Sequence, residues 1–476
     1  MFSAATYSER RTALGTALRK RGETGLVLFP GHSAAPMNYT DNAYPFRQDS
    51  SFLYFFGYNC EGLTGIIDLD ADESWYFNQG DTMDDIIWSG ATATAEELAT
   101  RCGCEQYGDE KKLAAMLAEA QRQQRPIHIL PIYRAETRMR LVQLLDCGLM
   151  DVDALVSEPF IQEVVALRSI KSIEEVMEIE LALDISYAMY ANALAATRPG
   201  VTERQIASTL QSTVALGGSL QSFTPICTGR GQILHNHNYS HTLHAGDLLL
   251  IDSGAESPRH YASDITRTFP VSGTFTDRQR DIYSIVLAAQ ETAIAQCAPG
   301  IPFIDCHLTA ARTIASGLRD IGLLRGNLDD IVAAGAHALF FPHGLGHMLG
   351  LDVHDMEGLG EDYVGYDETI TRSSQFGLRG LRLARTLEAG FVVTIEPGCY
   401  FIPALMEKWE AEGTCKEFIN FDTAKHFADF GGIRIEDDIL ITSNGNKVLG
   451  QPIPKTISGL EARRHAADQR HSSSTF

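Results

Sequence analysis

The chain has 476 residues, too many for a single ordinary core, so two domains are expected. With 39 basic against 61 acidic residues the net charge is −22, which leaves no surplus of Lys or Arg for phosphate and excludes nucleic acid and anionic membrane as partners. A hydrophobic content of 44% fits a globular protein, and no apolar run reaches the length of a membrane span.

Taken in chain order, the opening MFSAATYSERRTALGTAL lacks the apolar core of a signal peptide, so a cytoplasmic location is expected. Residues 5–21 read as a helix and 24–31 (TGLVLFPG) as a buried strand stopped by Pro30-Gly31. Strands are predicted at Phe52–Tyr58, Thr64–Leu69 and Ser74–Phe77, helices near 94–101 and 110–123, and a strand at Ile127–Leu130. This alternation is α/β, and the first domain is placed at 1–160. A second domain, 161–465, opens with a charged helix whose apolar residues Val176, Ile179, Leu183 and Met189 recur at helical spacing. Pro199-Gly200 stops it, and Thr202 with Gln205 starts another helix through a capping box. About one hundred residues on, the pattern returns. Thr276 with Gln279 opens a helix, Pro299-Gly300 stops it, and a further helix follows, which suggests two similar halves. From about 466 the tail is polar and expected to be disordered. The nine cysteines are scattered. Cys102 and Cys104 form only a weak C-x-C pair, and free, mostly buried thiols in a reducing compartment are expected.

Five separated residues read as one metal site: Asp252 in LLLIDSGAE, Asp264 in SDITRTFP, His347 in PHGLGHMLGLDVHD, Glu396 in VVTIEPG and Glu436 in GGIRIEDD. Four carboxylates and one imidazole are too many acids for one structural zinc, but suit two divalent cations sharing bridging carboxylates. Two such ions can hold a water between them and make it a hydroxide near neutral pH, which points to a hydrolase. Asp252 ends a strand apolar on both faces, hence central in its sheet, and a hairpin should bring Asp264 beside it. Either aspartate alone would pass for a turn former. His343 and His347 are four apart, but Gly344 and Gly346 argue for a strand or loop of close backbone approach instead of a helix. GGIRIEDDILIT reads as a strand with Ile433 and Ile435 facing one way and Arg434 and Glu436 the other, so Arg434 would orient the carboxylates. Asp437 and Asp438 are alternative charges or plain solvated residues.

These segments, in this order and across almost the whole chain, resemble the pita-bread metallopeptidases of the proline-specific type, the Xaa-Pro aminopeptidases and Xaa-Pro dipeptidases (prolidases). SDITRTFP, HGLGHMLGLDVHD, TIEPGCYF and GGIRIEDD carry the resemblance, and YPFRQDSSFLYFFGY (44–58) is similar to the signature of the N-terminal domain. The resemblance implies an α+β protein: a pseudo-twofold, creatinase/aminopeptidase-like pita-bread catalytic domain behind a smaller α/β domain. It implies that Asp252, Asp264, His347, Glu396 and Glu436 bind two divalent ions, usually manganese, sometimes cobalt or zinc, with a bridging water or hydroxide. Glu396 would act as base on that water. His354 would stabilise the oxyanion, and His343 would help proton transfer near the leaving proline nitrogen. His235 falls at a substrate-binding histidine, with His237 a surface neighbour, and Arg434 is placed on the substrate side. Small proline-containing peptides and a second copy of the chain are the implied partners. Two departures stand out: the Asp252–Asp264 hairpin (AESPRHYA) has one extra residue, and the loop before His235 is shortened to CTGRGQ, with Phe223 as the counterpart of the family's aromatic residue.

A dipeptidase must hold a free proline carboxylate, and GLRGLRLARTLEAG places Arg382 where prolidases carry the arginine for it. The long insertion between TIEPGCYF and GGIRIEDD is also prolidase-like, whereas YPFRQDS looks more like an aminopeptidase P. Dipeptidase is the favoured expectation and Xaa-Pro aminopeptidase the alternative. A methionine aminopeptidase would not need the first domain. A metal-free creatinase-like hydrolase or a peptide-binding pseudoenzyme would have lost the ligands.

Overall fold

A computed structural model describes residues 1–464, and the polar tail expected from 466 lies outside them. The chain forms two compact units, one of Met1–Arg168 with Gly358–Tyr363, the other of Ser169–Glu357 and the chain from Val364 onward.

The first unit is built on five strands: β1 (Leu26–Pro30), β2 (Leu63–Asp68), β3 (Glu73–Asn78), β4 (Gln106–Gly108) and β5 (Ile127–His128), ordered β4-β3-β2-β1-β5. β1–β2 and β2–β3 pair antiparallel, and the edge strands β4 and β5 join parallel. Leu26, Leu28, Ile66 and Phe77 meet Leu113, Leu117 and Leu141 of the covering helices in one core. The predicted strand at Phe52–Tyr58 is instead the helix Ser50–Phe56. The Asp49 side chain accepts the Phe52 amide, and Gly57 closes the helix at φ +74°. Every residue of SSFLYFF is buried, so it carries no apolar period, and a short apolar run reads equally as strand or helix.

The second unit repeats one motif twice. Ser172 and Glu175 cap the helix Ile173–Ala196, and Thr202 and Gln205 cap Glu203–Leu216. The strands β6 (Ile226–Thr228), β7 (Leu248–Ser253) and β8 (Ile265–Pro270) follow, with β7 central. In the second half, Thr276 and Gln279 cap Asp277–Gln296, and Phe303–Asp320 comes next. Its strands are β9 (Val392–Ile395), β10 (Gly398–Tyr400), β11 (Gly432–Arg434), β12 (Asp437–Thr442) and β13 (Gly445–Val448). They form the sheet β13-β12-β9 and the ribbon β10-β11. The backbone shows the repeat directly. The Gly200 amide donates to Leu243 O and the Leu243 amide to Val201 O, just as Gly300 does to Leu387 and Leu387 to Ile301. The sequences there are PGV with TLHAGD, and PGI with TLEAGF.

GGIRIEDDILIT is therefore not one strand. The chain leaves β10 after Arg434, the Glu436 amide donates to Thr266 O, and the chain then joins β9 as β12. This crossing ties the two halves together at the acids. At the tip of the β7–β8 hairpin His260 sits at φ +67°.

Candidate active site

The five acid and imidazole residues converge although they come from five segments. Asp252 lies in β7 opposite Thr266 of β8, and Asp264 immediately precedes β8. Glu396 follows β9, and its amide donates to Leu345 O. His347 lies in a glycine loop laced to the same strand: its amide donates to Thr394 Oγ1, and the Thr394 amide donates back to His347 O. Gly346 allows this approach, since a Cβ there would stand 2.0 Å from Thr394 O. No helix spans His343–His347.

Asp264, His347 and Glu436 are buried, with ligand atoms that all lie within 4.8 Å of one another. The His347 Nδ1 faces Met348 O at 3.0 Å. Its Nε2 is turned to Asp264 Oδ2 (3.5 Å) and Glu396 Oε1 (3.6 Å), spacings that leave room for a cation between ligands. Asp252 Oδ1 and Asp264 Oδ1 are buried without a hydrogen-bond partner. Burial, then the Asp252 charge, raises the Asp264 carboxyl well above the usual range. Burial, then Asp264, does the same to Glu436, and burial lifts Glu396 to about 7. Orphaned carboxylate oxygens and mutually repelling acids are what divalent cations satisfy, so the donor set fits them.

Arg434 orients this cluster. Its Nη2 donates to Asp252 Oδ2 (2.7 Å), its Nε to Thr266 Oγ1 (3.1 Å) and its Nη1 to the Tyr400 hydroxyl (2.9 Å). Thr266 in turn donates to Glu436 Oε2 at 2.6 Å. The two neighbouring acids are not solvated. Asp437 is held low by Arg267 and Lys455, at 2.6 Å each, against the opposing effect of its burial. Asp438 accepts the Asp264 amide at 3.0 Å.

A cavity of about 500 Å³ opens beside the cluster. His235, His343, His354, Arg382 and Arg434 line it with all five acid and imidazole residues, and so do Phe223 and His237. His343 is engaged at both ring nitrogens, with Gly344 O and with the Tyr400 hydroxyl (2.8 Å each). Burial, and then Arg434, lowers its pKa to about 3, so the ring is neutral. The His354 ring lies 3.9 Å from that of His347, centre to centre. Sequence reasoning missed Glu357, whose Oε2 meets both His354 Nδ1 (3.1 Å) and Arg382 Nη1. It also missed Tyr400. Neither carries a spacing signal: Tyr400 stands inside TIEPGCYF, whereas Glu357 lies two residues beyond HGLGHMLGLDVHD.

Comparison with known proteins places the chain. The model of metallopeptidase family M24 matches residues 178–443, and that of the aminopeptidase P N-terminal domain matches 7–129. The chain belongs to metallopeptidase family M24, with the two-domain pita-bread fold of the aminopeptidase P type. It is 32% identical over 485 aligned positions to the Xaa-Pro dipeptidase of Rattus norvegicus, covering 98% of this chain and 94% of that one. It is 33% identical over 430 positions to a probable Xaa-Pro aminopeptidase of Fusarium vanettenii, covering 88% and 87%. Among solved structures, aminopeptidase P from E. coli with the inhibitor Pro-Leu superposes with a TM-score of 0.78 at 29% identity, over 98% of this chain and all of the other. Among the described residues no helix is long and apolar enough to cross a membrane.

Proposed function

We propose that this metallopeptidase is an Xaa-Pro dipeptidase that releases free proline from small peptides, as a cytoplasmic homodimer. The observation that carries the reading is Arg382 on the wall of the cavity that also holds the acid cluster. A planar guanidinium there suits a free carboxylate through a two-pronged contact. Asp252, Asp264, His347, Glu396 and Glu436 would hold two divalent ions, manganese first and cobalt or zinc as alternatives. When bound, these supply Lewis-acid polarisation and a water acidified toward neutrality. Glu396, at the cavity wall, takes a proton from the attacking water. His354, on the same wall, faces the developing oxyanion. His343 can pass a proton toward the proline nitrogen by exchanging its bond with Tyr400. His235, with Phe223 beside it on the cavity wall, is a substrate-binding residue in this reading. An Xaa-Pro bond has no N–H, so ordinary proteases lose a contact there.

Xaa-Pro aminopeptidase activity is the second reading, favoured by the likeness to solved aminopeptidase P structures. Hydrolysis of Ala-Pro against Ala-Pro-Ala by manganese-loaded protein, with a chelated control, separates the two. Cleavage of the dipeptide supports the first reading, and preference for the tripeptide overturns it.

A further inference from the structure

Glu357 does not line the cavity, yet the two side chains that it holds do. Its Oε2 meets His354 Nδ1 at 3.1 Å and also accepts from Arg382 Nη1. Its Oε1 is buried without a partner, and its side chain is only 13% exposed. One carboxylate oxygen thus holds two side chains of the cavity wall, a ring and a guanidinium.

We propose that Glu357 is a positioning residue that aims His354 and Arg382 together, and so sets the length of peptide the site prefers. This rests on reading Arg382 as the carboxylate clamp. An arginine one-third exposed carries rotamer entropy that substrate binding would otherwise have to remove, and its planar fork binds a carboxylate only when aimed.

The test is steady-state kinetics of metal-loaded Glu357→Gln on both peptides. The amide should lower kcat about tenfold on each, through His354. It should raise KM about tenfold for Ala-Pro and leave KM for Ala-Pro-Ala within about twofold. In an Arg382→Ala background it should no longer change KM for Ala-Pro. Glu357→Asp, which keeps a carboxylate, should recover part of the dipeptide KM. Equal KM changes on both peptides, additivity with Arg382→Ala, or unchanged kinetics would overturn the proposal. A wild type that cleaves only Ala-Pro-Ala would overturn the clamp reading instead, and the kcat of Glu357→Gln would then decide the His354 half alone.

A separate cluster carries a second inference. We infer that His241, His244 and Asp247, in HTLHAGD, bind a borderline divalent cation such as zinc. Ligand atoms about 2.0–2.1 Å from one zinc stand about 2.9–3.4 Å apart. Here His241 Nε2 is 3.0 Å and His244 Nδ1 3.6 Å from Asp247 Oδ2, with all three atoms inside 4.8 Å. The turn is held in place: Asp247 Oδ2 accepts the His244 amide, and the buried Glu203 accepts the His241 amide. In the equivalent TLEAGF turn, Glu388 and Phe391 stand where His244 and Asp247 do, so the scaffold does not require this triad. Equilibrium dialysis against zinc should leave His244→Ala with one bound equivalent fewer than wild type. Ala-Pro hydrolysis by the manganese-loaded variant should be unchanged. Equal zinc in the two proteins would overturn the site.

Discussion

Glu436 and Asp437 are adjacent, both buried, and opposite in kind. Glu436 faces Asp264 and Glu396, and crowding with other acids helps burial to raise its pKa. Asp437 faces Arg267, Lys455 and the Gln290 amide (3.0 Å), and those cations hold its pKa down. The pair teaches that burial alone does not mark a functional acid. An acid that the fold itself satisfies is structural, whereas one left in debt to its neighbours needs a ligand from outside.

The sharpest way to break this comparison is to remove each acid in turn. Asp264→Ala or Glu436→Ala should lose a metal equivalent and cut kcat at least about a thousandfold, while chelated protein keeps or gains stability because repulsion is relieved. Metal content and turnover check this, and near-normal activity in either variant would sink the dinuclear assignment. Asp437→Ala should do the reverse. Arg267 is fully buried, so losing its partner leaves an uncompensated cation, at a cost of about 3–5 kcal/mol in unfolding free energy. The protein that remains folded should keep its metal. A destabilisation under about 1 kcal/mol would show that Asp437 is not the structural member of the pair.

The same contrast has a pH signature. A carboxyl whose folded pKa is raised favours folding below its unfolded value, about 4.3 for glutamate. That advantage is lost as pH rises through the folded value, about 7 for Glu396. Chelated protein should therefore lose thermal stability between about pH 5 and 8 as the crowded acids ionise. Bound cations offset that repulsion, so the Tm gap between loaded and chelated protein should widen with pH across this window. A constant gap would mean that the acids do not repel one another in the folded state.

Much of this was legible in the sequence because strand ends and glycines leave marks. Asp252, Glu396 and His347 could be placed from apolar runs and Gly-x-Gly spacing, and the PG stops at 199–200 and 299–300 exposed the repeat. The TLHAGD/TLEAGF match is the stronger signal, since it fixes the same two backbone bonds in each half. The helix Ser50–Phe56 could not be read, because burial on every side erases the period that separates helix from strand. The break in GGIRIEDD was equally hidden. Alternation continues through Ile435 and Glu436 while the hydrogen-bond partners change, and side-chain pattern carries no record of which strand lies alongside. Asp437 and Asp438 were left open for a related reason: their partners Arg267, Lys455 and the Asp264 amide are remote in sequence.

The smallest expected effect lies at the cavity mouth, where Arg382 contrasts with the buried Arg434. Arg434 ties Asp252, Thr266 and Tyr400 together, so its loss would disturb the whole cluster. Arg382 is about one-third exposed, and its side chain donates to Glu357 beside the cavity. Arg382→Ala should therefore leave metal content unchanged. One charge-assisted contact to the substrate carboxylate is worth about 1.5–3 kcal/mol, and solvent at the mouth reduces it, so KM for Ala-Pro should rise about tenfold. Ala-Pro-Ala offers no carboxylate at that distance from the scissile bond, so its KM should move little. If both KM values rise together, Arg382 supports the wall of the cavity and does not select for dipeptides.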